Sequence, residues 1–211
     1  MRFLVIGALL SADPPGGPGG ARPPAEAFSN PRYASSVDWI LLTYRLHSGG
    51  SRARVAVWRE IRRSGALHLQ QSVVAFPATK EFRAPVERFR QLVKELGGET
   101  LVVEGEPMAG ADAERLRDAW NEARDDEYRE LIAVCGKFLA EVEHEFEIEK
   151  FTLAELEEEE SEYEKLRQWH DRIAARDVCG APRASVARDA LDQAAEAFGR
   201  YSDAVFERTQ P

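Results

Sequence analysis

Arginine spacing offers the clearest opening for chemistry in this chain. Arg45, Arg52 and Arg54 bracket the pair Gly49-Gly50. Guanidinium forks, backbone amides and a helix N-terminus are the groups that hold a dianionic oxyanion. These three arginines are therefore the candidate anion site, with surface or interdomain ion pairing as the plainer reading. Arg59, Arg62 and Arg63 follow on the same segment and are candidates for contact with DNA phosphates. Further along, Asn121, Arg124, Asp125 and Tyr128 recur at three- and four-residue steps, which sets them on one helical face beside an apolar stripe. They read as a buried polar network docking that helix on a sheet, or else as a ligand pocket.

Other side chains offer less. Twelve glutamates lie between Glu141 and Glu164, four of them consecutive from Glu157 to Glu160. Clustered carboxylates are hard-oxygen ligands, but the loop geometry of a calcium site is missing, and glutamates strung along a helix rarely converge on one ion. The stretch is expected to be a solvated helix face. His47, His68, His144 and His170 are too scattered for a metal triad, and Cys135 and Cys179 have no metal or redox spacing. No catalytic triad, phosphate-binding loop or dinucleotide fingerprint is present. The expectation is a protein that is not an enzyme and that holds no metal and no cofactor.

The elements that must position these residues follow from periodicity. Asp38–Leu46 is a β-rich and nearly unbroken apolar run, as in a central strand. Ser51 is placed to cap a helix over Arg52–Arg63, with Val55, Trp58 and Ile61 as its apolar side and the arginines as its wet side. Gly65 ends it. Two short strands meet near Gln70-Gln71, the first carrying Leu67 and Leu69, the second Val74 and Phe76. Thr79 opens a second helix on Phe82, Val86, Phe89 and Val93, and a last strand covers Glu99–Gly105. The order βαββαβ is that of a ferredoxin-like sandwich.

Three helices are expected next. Asp112 is placed to cap the first, whose stripe includes Leu116, Trp120, Leu131, Val134 and Phe138, and whose end frays near the alternating EVEHEFEIE. Thr152 and Glu155 form a capping box for the second, with Leu153, Leu156, Tyr163, Leu166, Trp169 and Ile173 inward and the glutamates mostly outward. Pro182 suits the first turn of the third, which carries Leu191, Ala194, Phe198, Tyr201 and Val205. The fold class is thus α+β: a ferredoxin-like sandwich followed by a bundle of about three α-helices.

Charge divides the chain in the same way. The net charge is −9, yet residues 38–107 carry eleven basic and eight acidic groups, and residues 108–211 carry fourteen basic and twenty-seven acidic. The expected organisation is a Pro/Gly-rich disordered leader over 1–36, a ferredoxin-like domain over 37–107 and an acidic helical domain over 108–211. MRFLVIGALLSA is weakly like a signal peptide but lacks a good cleavage site. With only two cysteines and no run near the roughly 20 apolar residues that span a bilayer, a cytoplasmic location and no membrane are expected.

Several blocks in order, WILLTYRL, RARVAVWREIRRSGALHLQQSVVAFP, WNEARDDEYREL and KFTLAELEEEESEYEKLRQWHDRIAARDVCGAP, resemble the N-terminal domain of ChrB, the chromate-resistance regulatory protein of bacterial chromate operons. The resemblance implies a regulatory or accessory role in chromate response, with oxyanion-responsive transcription regulation. Its implied partners are a chromate- or sulfate-type oxyanion, DNA, a second copy of the chain, or a separate protein supplying the C-terminal domain with which ChrB proteins continue. A more distant likeness, to PaaX-type repressors and small CRISPR-associated endoribonucleases, rests on the first strand ending in Tyr44, the basic helix and Gln70-Gln71-Ser72-Val73. Those nucleases follow the Tyr with a metal-binding Asp; Arg45 stands there in this chain and removes the ligand. The alternative of a different class is a non-catalytic interaction or dimerisation scaffold that binds neither chromate nor DNA.

Overall fold

A computed structural model describes residues 38–47, 50–104 and 110–209. The element order is β1 (Trp39–Leu46), α1 (Ser51–Ser64), β2 (Leu67–Gln70), β3 (Val73–Pro77), α2 (Lys80–Glu95), β4 (Gly98–Val103), α3 (Ala111–Glu147), α4 (Leu153–Ala174) and α5 (Ala184–Thr209). The chain forms two compact units, Met1–Arg115 and Leu116–Pro211, with the boundary inside α3. The leader, Gly49, Gly105 and Pro107 lie outside the described residues.

In the first unit the four strands form one antiparallel sheet in the order β2-β3-β1-β4. This is the ferredoxin-like arrangement: each helix crossover skips one strand, and the strand between runs antiparallel to both neighbours. β1 is central, as its unbroken apolar run requires. Ile40, Leu42, Val74 and Phe76 are fully buried, and Phe76 meets Phe82 and Phe89 of α2 at 6.3 and 6.4 Å between ring centres. Phe82, Val86, Phe89 and Val93 are the buried side of α2, the expected stripe. Ser72 takes φ 66° in the β2–β3 turn, and its carbonyl accepts from the Tyr44 N–H at 2.9 Å.

Helix α1 departs from expectation. Its buried residues are Val57, Glu60, Ile61 and Ser64, whereas Val55 and Trp58 are 44% and 58% exposed. Val57, Ile61 and Ser64 stack at i, i+4 and i+7, so residues 55 and 58 fall away from that line. Glu60 is tolerated inward because Arg63 reaches its Oε2 at 2.6 Å, while the Ser64 hydroxyl donates to the Glu60 carbonyl at 2.7 Å.

The second unit packs α3, α4 and α5 as an up-down-up bundle. Phe138 of α3 faces Tyr163, which stacks on Phe198 of α5 at 5.6 Å; toward the other end Phe146, Phe151 and Tyr201 meet within 5.9 Å. Leu131, Ile173, Ala187, Ala194 and Val205 complete the fully buried core. Two starts differ from the expected ones. α3 begins at Ala111 after Gly110 (φ 64°), so Asp112 lies in the first turn, paired to Arg115, rather than at the cap. α5 begins at Ala184, leaving Pro182 in the turn before it. At α4 half of the capping box forms: the Thr152 hydroxyl accepts from the Glu155 N–H at 3.2 Å, while the Glu155 carboxylate turns to Lys150 at 2.6 Å. The EVEHEFEIE segment is helical through Glu147.

Candidate functional site: the basic face of the first helix

α1 presents Arg52, Arg54, Arg59, Arg62 and Arg63 to solvent together with Val55 and Trp58. Of these arginines, Arg63 is engaged by Glu60; Arg52, Arg54, Arg59 and Arg62 have no carboxylate within ion-pair distance among the described residues. The helix opens without a side-chain cap and without an acid in its first turn, and it closes with Arg62 and Arg63 in the last. Free N–H groups at one end and a row of guanidiniums along the exposed side give a surface suited to anions. Trp58 at its centre supplies a flat apolar contact with a single N–H donor.

Arg45 is on a different surface. The Tyr44 ring packs edge-on to Phe89 of α2 at 5.4 Å, so Tyr44 faces the helices and alternation turns Arg45 to the opposite face of the sheet. There it is exposed and in register with Glu99, which lies 2.5 Å from His47 Nε2. Arg52 and Arg54 share a helix with Arg59 and Arg62, not a sheet face with Arg45. Side-chain alternation, which loop spacing in the sequence does not reveal, thus divides the candidate anion residues between two surfaces.

In the second unit the polar network takes shape, on a partner other than the sheet. Trp120, Arg124, Asp125, Glu127 and Tyr128 of α3 fasten the α4–α5 connection. Trp120 Nε1 donates to the Arg176 carbonyl at 3.1 Å. Arg124, 3% exposed, lies over the Trp120 ring at 4.7 Å and bonds Glu127 at 2.8 Å, and Glu127 also takes the Arg176 guanidinium. Burial pulls the Arg124 pKa down, and the Glu127 charge opposes it. Asp125 Oδ1 accepts the Arg183 N–H at 2.8 Å, and the Tyr128 hydroxyl donates to Asp177 Oδ2 at 3.2 Å. Burial, then the Asp177 charge, pushes Tyr128 up to about 12. Asn121 belongs to the same face, but its buried Oδ1 has no hydrogen-bond partner. Cys179 sits in this connection, its thiol pushed up to about 11, chiefly by burial. The network joins α3 to the α4–α5 connection, in place of the expected sheet.

The acidic helix α4 is solvated over most of its surface, and Glu164, held by Arg167 and Gln168, is pulled down to about 2. Glu159 is an exception: it is 5% exposed, and Glu145 of α3 is 3% exposed. Four consecutive glutamates sweep about 300° of a helix at about 100° per residue, so one of them has to point inward. The sweep alone does not say which; the three- and seven-residue steps from Glu159 to the buried Leu156 and Leu166 do.

These features define a class: an α+β module with a ferredoxin-like sheet, one basic helix face and a separate acidic helical bundle. The family model described as Protein ChrB, N-terminal, matches residues 54–211, and the chain belongs to that family, which places it among chromate-resistance-associated proteins. Among curated proteins no sequence matches it. No helix of the described residues is long and apolar enough to cross a membrane.

Proposed function

We propose that the chain is a non-catalytic regulatory module of the chromate response, and that the basic side of α1 contacts DNA phosphates. The observation that carries this reading is the exposed row Arg52, Arg54, Arg59 and Arg62 around Trp58, unpaired by any described carboxylate in a chain of net charge −9. With acids so abundant, guanidiniums left open on one helix are suited to an external anion. Each phosphate they neutralise releases counterions, so affinity falls with salt at a slope of about 0.9 per contact.

Fluorescence anisotropy on a duplex covering the chain's own promoter, at about 50 and about 200 mM salt, tests it. The Arg59→Ala/Arg62→Ala variant is expected to bind more weakly on every sequence and to lose about two from the salt slope. Equal binding by variant and wild type, or no binding at the lower salt, rejects the proposal.

A second reading, oxyanion binding, is favoured by the uncapped, acid-free first turn of α1 beside Arg52 and Arg54. Calorimetric titration with chromate and with sulfate is expected to give heat that Arg52→Ala/Arg54→Ala abolishes and Arg45→Ala leaves in place. Absence of heat from wild type rejects this second reading.

A further inference from the structure

The α3–α4 turn closes over a group of charges that ion pairing alone does not balance. Glu145, near the end of α3, is 3% exposed, and its Oε2 has no hydrogen-bond partner. Glu159, in the second turn of α4, is 5% exposed and has no ion pair among the described residues. The nearby cation is Lys150 of the turn, whose Nζ is 2.6 Å from Glu155 and 3.7 Å from Glu145. The turn itself is tightly specified. Glu149 takes φ 54°, the Lys150 N–H donates to the Glu145 carbonyl at 3.0 Å, and the Tyr201 hydroxyl of α5 donates to the Lys150 carbonyl at 2.6 Å.

Glu159 is faced by Glu141 and Glu145 from α3 and by Glu155 and Glu158 of its own helix. Lys150 from the turn and Tyr201 from α5 couple to the same carboxylates. A buried carboxylate oxygen without a donor is costly, and two carboxylates sharing a desolvated site resolve the conflict by keeping one proton. A metal ion is a poorer answer, since among the described residues no three acids or other ligands are grouped to hold one.

We propose that the Glu159 carboxyl stays protonated in the closed turn and donates to the Glu145 oxygen left without a donor, and that loss of this proton to solvent base as pH rises to neutral loosens the α3–α4 turn. Lys150 then remains paired to Glu155 and Glu145 in a set of carboxylates that has gained a charge, with Arg208 of α5 over the Phe151 ring beside it. The turn is held by a proton and an ammonium together, and pH removes the first. Burial, followed by the charges of Glu141 and Glu145, pushes Glu159 up to about 7, which puts the release in the physiological range.

Hydrogen–deuterium exchange on the full chain, corrected for the intrinsic pH dependence of exchange, tests the proposal on peptides covering residues 146–156. In wild type, opening of this segment is expected to rise by up to about tenfold per pH unit, the limit for one linked proton, between about pH 4.5, where the glutamate of the open segment ionises, and about 7, and to level off above that. In Glu159→Gln, which keeps a donor and carries no charge, it is expected to stay flat. Parallel behaviour of the two proteins, whether rising or flat, overturns the proposal. A second measurement needs no variant. The infrared carbonyl band of a neutral carboxylic acid is expected in wild type near pH 6 and absent near pH 8.5, roughly the span over which one group near pH 7 titrates. Its absence near pH 6 overturns the proposal equally.

Discussion

Replacing Asp177 by Ala is expected to destabilise the helical unit by about 3 kcal/mol, a figure that can be worked bond by bond. Oδ1 accepts the Gly180 and Ala181 N–H groups at 3.0 and 2.9 Å, and Oδ2 accepts the Tyr128 hydroxyl at 3.2 Å. Gly180 is exposed and can turn its N–H to water, so its bond counts for little. Ala181 and Tyr128 are 5% and 1% exposed and have no such recourse. Each is left with an unmet donor, and bonds to a charged acceptor are worth about 1.5–3 kcal/mol, toward the lower end for the long Tyr128 bond. Tyr128→Phe alone is expected to cost about 1 kcal/mol, but in the Asp177→Ala background to recover about 1 kcal/mol, because it removes the buried hydroxyl left without an acceptor. Urea unfolding followed by circular dichroism at unchanged slope measures all four corners of this cycle. A loss below about 0.5 kcal/mol for Asp177→Ala, the scatter of an ordinary surface change, would refute the docking role of the network.

Two further outcomes follow from the same geometry. Tyr128, pushed up to about 12 from 10.0, should ionise late in an alkaline absorbance titration, and Tyr128→Phe should remove that late phase. Since the unfolded chain gives up this proton near pH 10 and the folded one keeps it, Tyr128's contribution to stability is complete below about pH 10 and is lost as pH rises toward about 12; a stability that stays level across that window contradicts the assignment. Gly98→Ala should cost about 2–3 kcal/mol, because a Cβ there meets the Arg45 carbonyl oxygen, Val93 Cγ1 at 2.9 Å and Leu46 Cδ2 at 3.1 Å. Gly97→Ala, with open space but φ 71°, should cost only about 1–2 kcal/mol, and thermal melts of the pair that rank them the other way would refute the close approach.

The sheet and α2 were legible because local rules agreed there. The βαββαβ order admits few strand arrangements, and Phe82, Val86, Phe89 and Val93 mark one face without a competitor. α1 was misread because Val55, Trp58 and Ile61 make a plausible stripe, while the true inward line includes a glutamate and a serine whose acceptability depends on Arg63 and on the helix's own carbonyl. Asp125 and Tyr128 announced themselves as polar groups beside an apolar stripe, but their partners are 49 or more residues away in the α4–α5 connection, where no local pattern points. For the same reason the anion candidates looked like one corner. Sequence proximity joins Arg45 to Arg52, and strand alternation separates them.

How the arginines are used differs between the α3 network and α1, and that contrast weighs more than the overall charge. In the helical unit Arg124, Arg176 and Arg183 each reach a carboxylate on α3, and Arg167 reaches Glu164 along its own helix. Those pairs answer a folding need, since Arg124 is buried and an uncompensated charge there is strongly destabilising. On α1, Arg52, Arg54, Arg59 and Arg62 answer no such need. They are exposed, they face no described carboxylate, and a neighbouring exposed Trp58 adds apolar area that the fold does not bury. A surface charge left unpaired costs little, so stability neither requires nor forbids this arrangement. What it does set is the field at the surface. Four like charges along one helix raise the local concentration of anions and speed their arrival, an effect that salt weakens and that the buried pairs of the other unit do not share. The first unit is therefore where an anionic partner should be sought, and the acidic bundle is where proton-linked control of shape should be.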